Sequence, residues 1–147
     1  MSKGILIETS LKFSVKIIKL QQYLIKQKKE TIISKQIIRS TTSIGANINE
    51  ANYGSSKQDF IAKMHIALKE CAETEYWIRL LKEAEYIEND YAKILLSDCL
   101  AIKRMLISSL NTAKSNLWPV GYEANLFFYV NYINVGNVIQ NYSIFWR

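Results

Sequence analysis

Apolar residues return at three- and four-residue steps through most of the first 115 positions, the period of helices with one buried face. The steps stop at "QKKET", "NYGSSKQD" and "YIEND", each rich in cap and turn residues. This pattern predicts helices over residues 9–28, 31–53, 57–85 and 89–115, with Ser55 or Ser56, followed by Gln58 and Asp59, starting the third. Connections this short favour antiparallel neighbours, so the expected fold is all-α, an antiparallel up-and-down four-helix bundle.

The first helix carries more apolar surface than one core requires. Phe13, Ile17, Leu20 and Leu24 lie on one flank and Leu11, Val15, Ile18 and Ile25 on the other, with Lys12, Lys16, Lys19, Tyr23 and Lys26 in a narrow stripe. A helix apolar on two sides is expected to be buried on two sides, so a self-association surface is predicted there. The lysine stripe, extended by Lys28, Lys29 and Lys35, is either a ridge that tracks phosphates or an ordinary solvated face.

The second helix predicts two parallel stripes. Ile33, Ile37, Ile44, Ile48 and Ala51 form the apolar one, and Arg39, Ser43, Asn47 and Glu50 form a polar ribbon beside it, with Gly45 and Ala46 leaving room for a neighbouring backbone. On the third helix Phe60, Ile66, Ala67, Trp77, Ile78 and Leu81 surround Glu70. A carboxylate in an apolar arc needs a cation or several donors. Arg39 is the expected partner, assisted by Ser43 and Asn47, with Glu73 as the competing acceptor. Arg39, Ser43, Asn47, Glu50, Glu70 and Glu73 are therefore expected to form a structural polar network that sets helix register.

Composition sharpens this outline in two places. Residues 1–69 carry 12 Lys/Arg against 4 Asp/Glu, residues 70–98 carry 3 against 8, and the remainder 4 against 1, so the net charge of +6 hides a basic first half and an acidic middle. Such asymmetry suits a nucleic-acid surface, or contacts between basic and acidic faces of neighbouring copies. After Asn116 the chain changes character: residues 117–147 hold 9 of the 17 aromatics and five asparagines, but only Glu123 and Arg147 as charges. Residues 1–116 are read as the bundle domain and 117–147 as a peripheral aromatic, Asn-rich extension.

Catalytic chemistry finds little support. A di-iron bundle needs Glu-x-x-His on two helices, and His65 is the single histidine, with no Glu three residues before it. "YGSSKQD" lacks the spacing of a phosphate loop and follows no strand. Cys71 and Cys99, far apart in sequence, read as free buried thiols rather than a disulfide framework or zinc pattern. No enzyme activity, cofactor or metal is expected; the absence of a secretory leader and of a transmembrane run leads to a cytoplasmic expectation.

"TTSIGANINEA", followed by "SKQDFIAKMHIALKECAETEYWIRLL", resembles the small four-helix-bundle family of 23S ribosomal RNA intervening-sequence proteins, itself similar to the accessory variability proteins of diversity-generating retroelements. The resemblance spans about residues 10–115. It is carried by Arg39, Ser43, Gly45, Ala46, Asn47, Glu50 and Ala51 in the second helix, and by Ala67, Leu68, Glu70, Glu73, Glu75, Trp77, Leu80 and Leu81 in the third. It implies a ring-like homo-oligomer, five copies being the implied number, with no catalytic activity. The retroelement relatives further imply contact with nucleic acid and with a nucleic-acid-processing protein, a reverse transcriptase, through basic surfaces. The leading expectation is a homo-oligomer that binds RNA or DNA backbone through Lys12, Lys16, Lys19, Lys26, Lys28, Lys29 and Lys35. The alternatives are a scaffold or adaptor that binds a protein partner without touching nucleic acid, and an enzyme acting through Arg39, Glu70 and Glu73.

Overall fold

The computed structural model describes residues 4–115, and the aromatic extension lies outside them. Within that range the chain forms four helices: α1 (Ile5–Lys28), α2 (Ile33–Ala51), α3 (Lys57–Glu83) and α4 (Asn89–Lys114). Helix α1 begins four residues earlier than its periodicity suggested, because Leu6 continues the buried series Ser10, Phe13, Ile17, Leu20 and Leu24 by one more turn. Burying each such Leu or Ile side chain contributes roughly 1.5–3 kcal/mol. Ile37, Ile44, Ile48 and Ala51 of α2, Phe60, Met64, Ala67, Ile78 and Leu81 of α3, and Leu95, Ile102, Leu106 and Leu110 of α4 complete one continuous core.

Each connection has a local cause. Lys29 adopts the left-handed conformation (φ 55°), and both its N–H and that of Glu30 return to the Leu24 carbonyl, closing α1. Glu30 then turns its carboxylate onto the start of α2, accepting hydrogen bonds from the N–H groups of Ile32, Ile33 and Ser34 at 2.7–2.8 Å. At α3 the expected start resolves to Ser56, whose Oγ accepts from Asp59 N at 3.1 Å, while Asp59 Oδ2 accepts from Ser55 N. Helix α3 ends in a Schellman turn: Tyr86 N reaches Leu81 O, Glu85 N reaches Lys82 O, and Glu85 takes the left-handed position (φ 58°) usually given to glycine.

The packing order follows the chain, with α1 on α2, α2 on α3, α3 on α4, and α4 closing less extensively on α1. Arg39 pairs with Glu73 and Glu50 with Lys63, so residue numbers rise on α2 as they fall on α3, and the two helices are antiparallel. Helix α2 runs unbroken through Gly45. A Cβ there would meet only Ser10 Oγ and Ser14 Oγ of α1, at 3.7 and 3.9 Å, ordinary contact distances. Among the described residues no helix is long and apolar enough to cross a membrane.

Candidate nucleic-acid interface and the polar seam

The ribbon predicted on α2 does border α3, but the structure divides it into separate local pairs. Arg39 Nη2 meets Glu73 Oε1 at 3.1 Å, and the Trp77 indole N–H donates to the same oxygen at 3.2 Å. Arg39 is thus held by the competing acceptor and not by Glu70. The reason is register: Glu73 lies one turn before Trp77 on the flank of α3 that faces Arg39. With the Arg39 side chain 66% exposed, the pair is a surface ion pair, worth about 0–1 kcal/mol. Asn47 donates to Ser43 within α2, at 2.9 Å to its carbonyl and 3.2 Å to its hydroxyl, so neither residue serves Glu70. Glu50 accepts from Lys63 Nζ at 2.6 Å, a contact that raises the lysine's pKa. Glu70 is half-buried in this seam, and its Oε2 is enclosed without a hydrogen-bond partner among the described residues.

The buried polar network lies one position further inward. Thr74 Oγ1 of α3 stands 2.8 Å from Ser40 Oγ, 2.9 Å from the Glu70 carbonyl and 3.4 Å from Thr41 Oγ1, with Ser40, Thr41 and Thr74 all excluded from solvent. Ser40 passes its proton to the Ile37 carbonyl at 3.2 Å. Every hydroxyl therefore has a partner, and the trio ties α2 to α3 at a defined register. The opposite seam is fastened by Glu75, which accepts from Arg79 of its own helix at 2.8 Å and from Lys103 of α4 at 2.9 Å. Helical side chains lean toward the N-terminus of their helix, so on antiparallel α3 and α4 Glu75 and Lys103 lean toward each other. These contacts, Lys103 first, hold the Glu75 carboxyl below its usual range; the same contact raises Lys103.

The seven candidate lysines separate into two groups. Lys12 is bound to Glu8 one turn away at 2.7 Å, and Lys16 crosses to Asp98 of α4 at 2.6 Å. A phosphate drawn to either would approach a carboxylate as well. Lys19, Lys26, Lys28, Lys29 and Lys35 are all exposed and have no acidic partner among the described residues; Lys28 lies 6.0 Å from the Tyr23 ring centre. The last four gather around the α1–α2 turn. Residues 19–35 hold these five lysines and one acid, Glu30, for a net +4. Glu30 is buried against the N-terminus of α2, so it faces the helix rather than the lysines. Burial pushes its carboxyl up, but the three backbone N–H groups outweigh this and hold it low.

The bundle is also found among known proteins, by fold and by family. The sequence profile of the 23S rRNA-intervening sequence protein family matches residues 3–108. The chain belongs to that family. A crystal structure of a protein of unknown function from the S23 ribosomal protein family of Bacteroides thetaiotaomicron superposes with a TM-score of 0.73 at 46% sequence identity, covering 74% of this chain and 100% of that one. No functionally curated protein matches significantly.

In this member of the 23S rRNA-intervening sequence protein family, two structural groups are not marked by apolar periodicity alone. Glu30 lay inside a run of charges that reads as a loop; its signal was its place just before the apolar steps of α2, where an acid can satisfy the first N–H groups. Ser40, Thr41 and Thr74 carried a plainer signal. Ser40 and Thr41 fall in phase with Ile37, Ile44 and Ile48, so they had to be buried with those residues and needed partners.

Proposed function

We propose that this protein is a non-enzymatic homo-oligomer that binds the phosphate backbone of RNA or DNA through the lysines around the α1–α2 turn. The observation that carries the reading is the concentration of Lys26, Lys28, Lys29 and Lys35 around the α1–α2 turn, exposed and without acidic partners among the described residues. The first N–H groups of α2 are already occupied by Glu30, so contact with an anion falls to the lysine side chains. Lysine ammonium groups on helices read phosphates rather than base edges, and the sequence contains no base-reading motif, so discrimination follows nucleic-acid shape. One chain offers few contacts; several copies in an assembly add them into avidity. The family's link to 23S rRNA intervening sequences supports RNA as the first ligand to try, and the resemblance to retroelement accessory proteins supports a nucleic-acid-processing protein as a further partner.

The test is fluorescence anisotropy of the full chain against a labelled structured RNA and a labelled duplex DNA at several salt concentrations. Binding is expected to fall steeply with salt. The variant K26Q/K28Q/K29Q is expected to lower the log–log slope by roughly 2–3, while K12Q/K16Q lowers it by less than about 1. An unchanged slope in the triple variant overturns the assignment of this surface.

A second reading, a scaffold that binds a protein partner, is favoured by the exposed flank Leu11, Val15, Ile18 and Ile25 of α1. Absence of binding to either nucleic acid at low salt would select it.

A further inference from the structure

Nothing in the spacing of Cys71 and Cys99 brings them together, but the α3–α4 seam does. Both face the core and are solvent-excluded. Their Sγ atoms are 3.4 Å apart, and each Sγ also lies 3.4 Å from the backbone carbonyl oxygen of the other residue. That reciprocity means that the two residues face each other directly across the seam, each side chain reaching the opposite backbone. A disulfide bond of about 2.05 Å requires the sulfurs to close by roughly 1.4 Å.

We infer that Cys71 and Cys99 are a dithiol staple, oxidised by peroxide to an intrachain disulfide that joins α3 to α4 and reopened by thiol reductants. Peroxide is the fitting oxidant because it is small and uncharged, so a brief local opening of the seam admits it where a bulky disulfide reagent would need the helices to part. The surroundings favour Cys71 as the sulfur that reacts first. The hydrogen bond from Cys99 stabilises its thiolate against the opposing effect of burial, and Lys103 adds to this. The same hydrogen bond, with burial, keeps Cys99 protonated.

The chemistry balances without another group. The Cys71 thiolate attacks one peroxide oxygen, the O–O bond breaks, and a sulfenic acid and hydroxide form. The Cys99 sulfur attacks the sulfenic sulfur, the S–O bond breaks, and its thiol proton leaves with the oxygen as water. Two thiols and one peroxide become one disulfide and two waters; the sulfurs together lose two electrons and the peroxide gains them. The product closes the chain segment from Cys71 to Cys99, which includes the whole α3–α4 turn, and restricts the unfolded chain accordingly.

The experiment treats the folded full-length protein with a few equivalents of hydrogen peroxide, blocks remaining thiols, and maps peptides by mass without reduction. The expected result is a cross-linked species joining the peptide with Cys71 to the peptide with Cys99, lighter by two hydrogens and separated again by dithiothreitol. The oxidised protein is expected to melt roughly 5–15 °C higher than the reduced one. The variants C71A and C99A should give no such species. Blocked but unlinked thiols, sulfinic or sulfonic products on either cysteine, cross-links only between chains, or a melting temperature that does not rise would each overturn the staple. The wild-type mass map decides the matter even where a variant fails to fold.

Discussion

Thr74 and Arg39 both join α2 to α3, but they stand in different solvents and must differ in worth. Thr74 is wholly buried, and its hydroxyl serves Ser40, Thr41 and the Glu70 carbonyl. Thr74→Val keeps the shape and strands the buried Thr41 hydroxyl, which should destabilise the bundle by about 1–3 kcal/mol. Arg39→Ala removes an exposed ion pair and should change stability by less than about 1 kcal/mol. Urea denaturation of the two variants beside the parent separates them; equal losses would mean that Arg39 is buried in the assembled protein. Glu70, the carboxylate expected to meet Arg39, stands half-buried in the seam without that contact. What could not be read from one helix was that Ser43 and Asn47 would satisfy each other, and that Arg39 would find Glu73.

At the scale of the element, α2 depends on a residue outside its own span. Glu30 gathers the first N–H groups of the helix, a favourable contact because helix N-termini carry partial positive charge. Its folded-state pKa is lowered, so its contribution is fully present above the ordinary glutamate value near 4.3 and is lost as pH falls through the lower folded value. Glu75 behaves in the same sense. Thermal stability should therefore decline on acidification below about pH 4.3. In Glu30→Gln the neutral-pH melting temperature should be lower and the acid decline shallower, measurable by circular dichroism melts between pH 3 and 7. A decline as steep as the parent's would assign the acid sensitivity to other carboxylates. The helices themselves were legible because apolar steps persist over several turns, whereas their ends depended on single side chains such as Leu6, Glu30 and Ser56.

At the scale of the whole molecule, the second apolar flank of α1 is left exposed among the described residues. Leu11 is 55% exposed and Ile18 40%, although their partners in the same helix are among the most buried residues of the protein. The bundle's hairpins also differ in charge: residues 19–35 carry a net +4, while residues 82–90 hold Lys82 against Glu83, Glu85, Glu88 and Asp90, a net −3. In the proposed assembly the apolar flank supplies adhesion and the opposed charges supply orientation. Leu11→Glu with Ile18→Glu should then reduce the mass measured by light scattering to that of one chain, while the helical signal persists, since neither residue is in the core. A parent protein of monomer mass, or an unchanged oligomer in the variant, would remove α1 from the interface.

Periodicity, turn chemistry and charge placement determined the four helices of the described residues, the core stripe of α2 and the basic character of the first half, because these properties depend on neighbours a few residues away. They also determined that α1 has two apolar flanks, though not what covers the second. Only the tertiary structure decided which acid Arg39 meets, which lysines are already neutralised, and that Cys71 and Cys99 lie in contact. Each of those outcomes rests on residues from different helices reaching the same level of the bundle. That coincidence is set by packing register, and no single helix's sequence contains it.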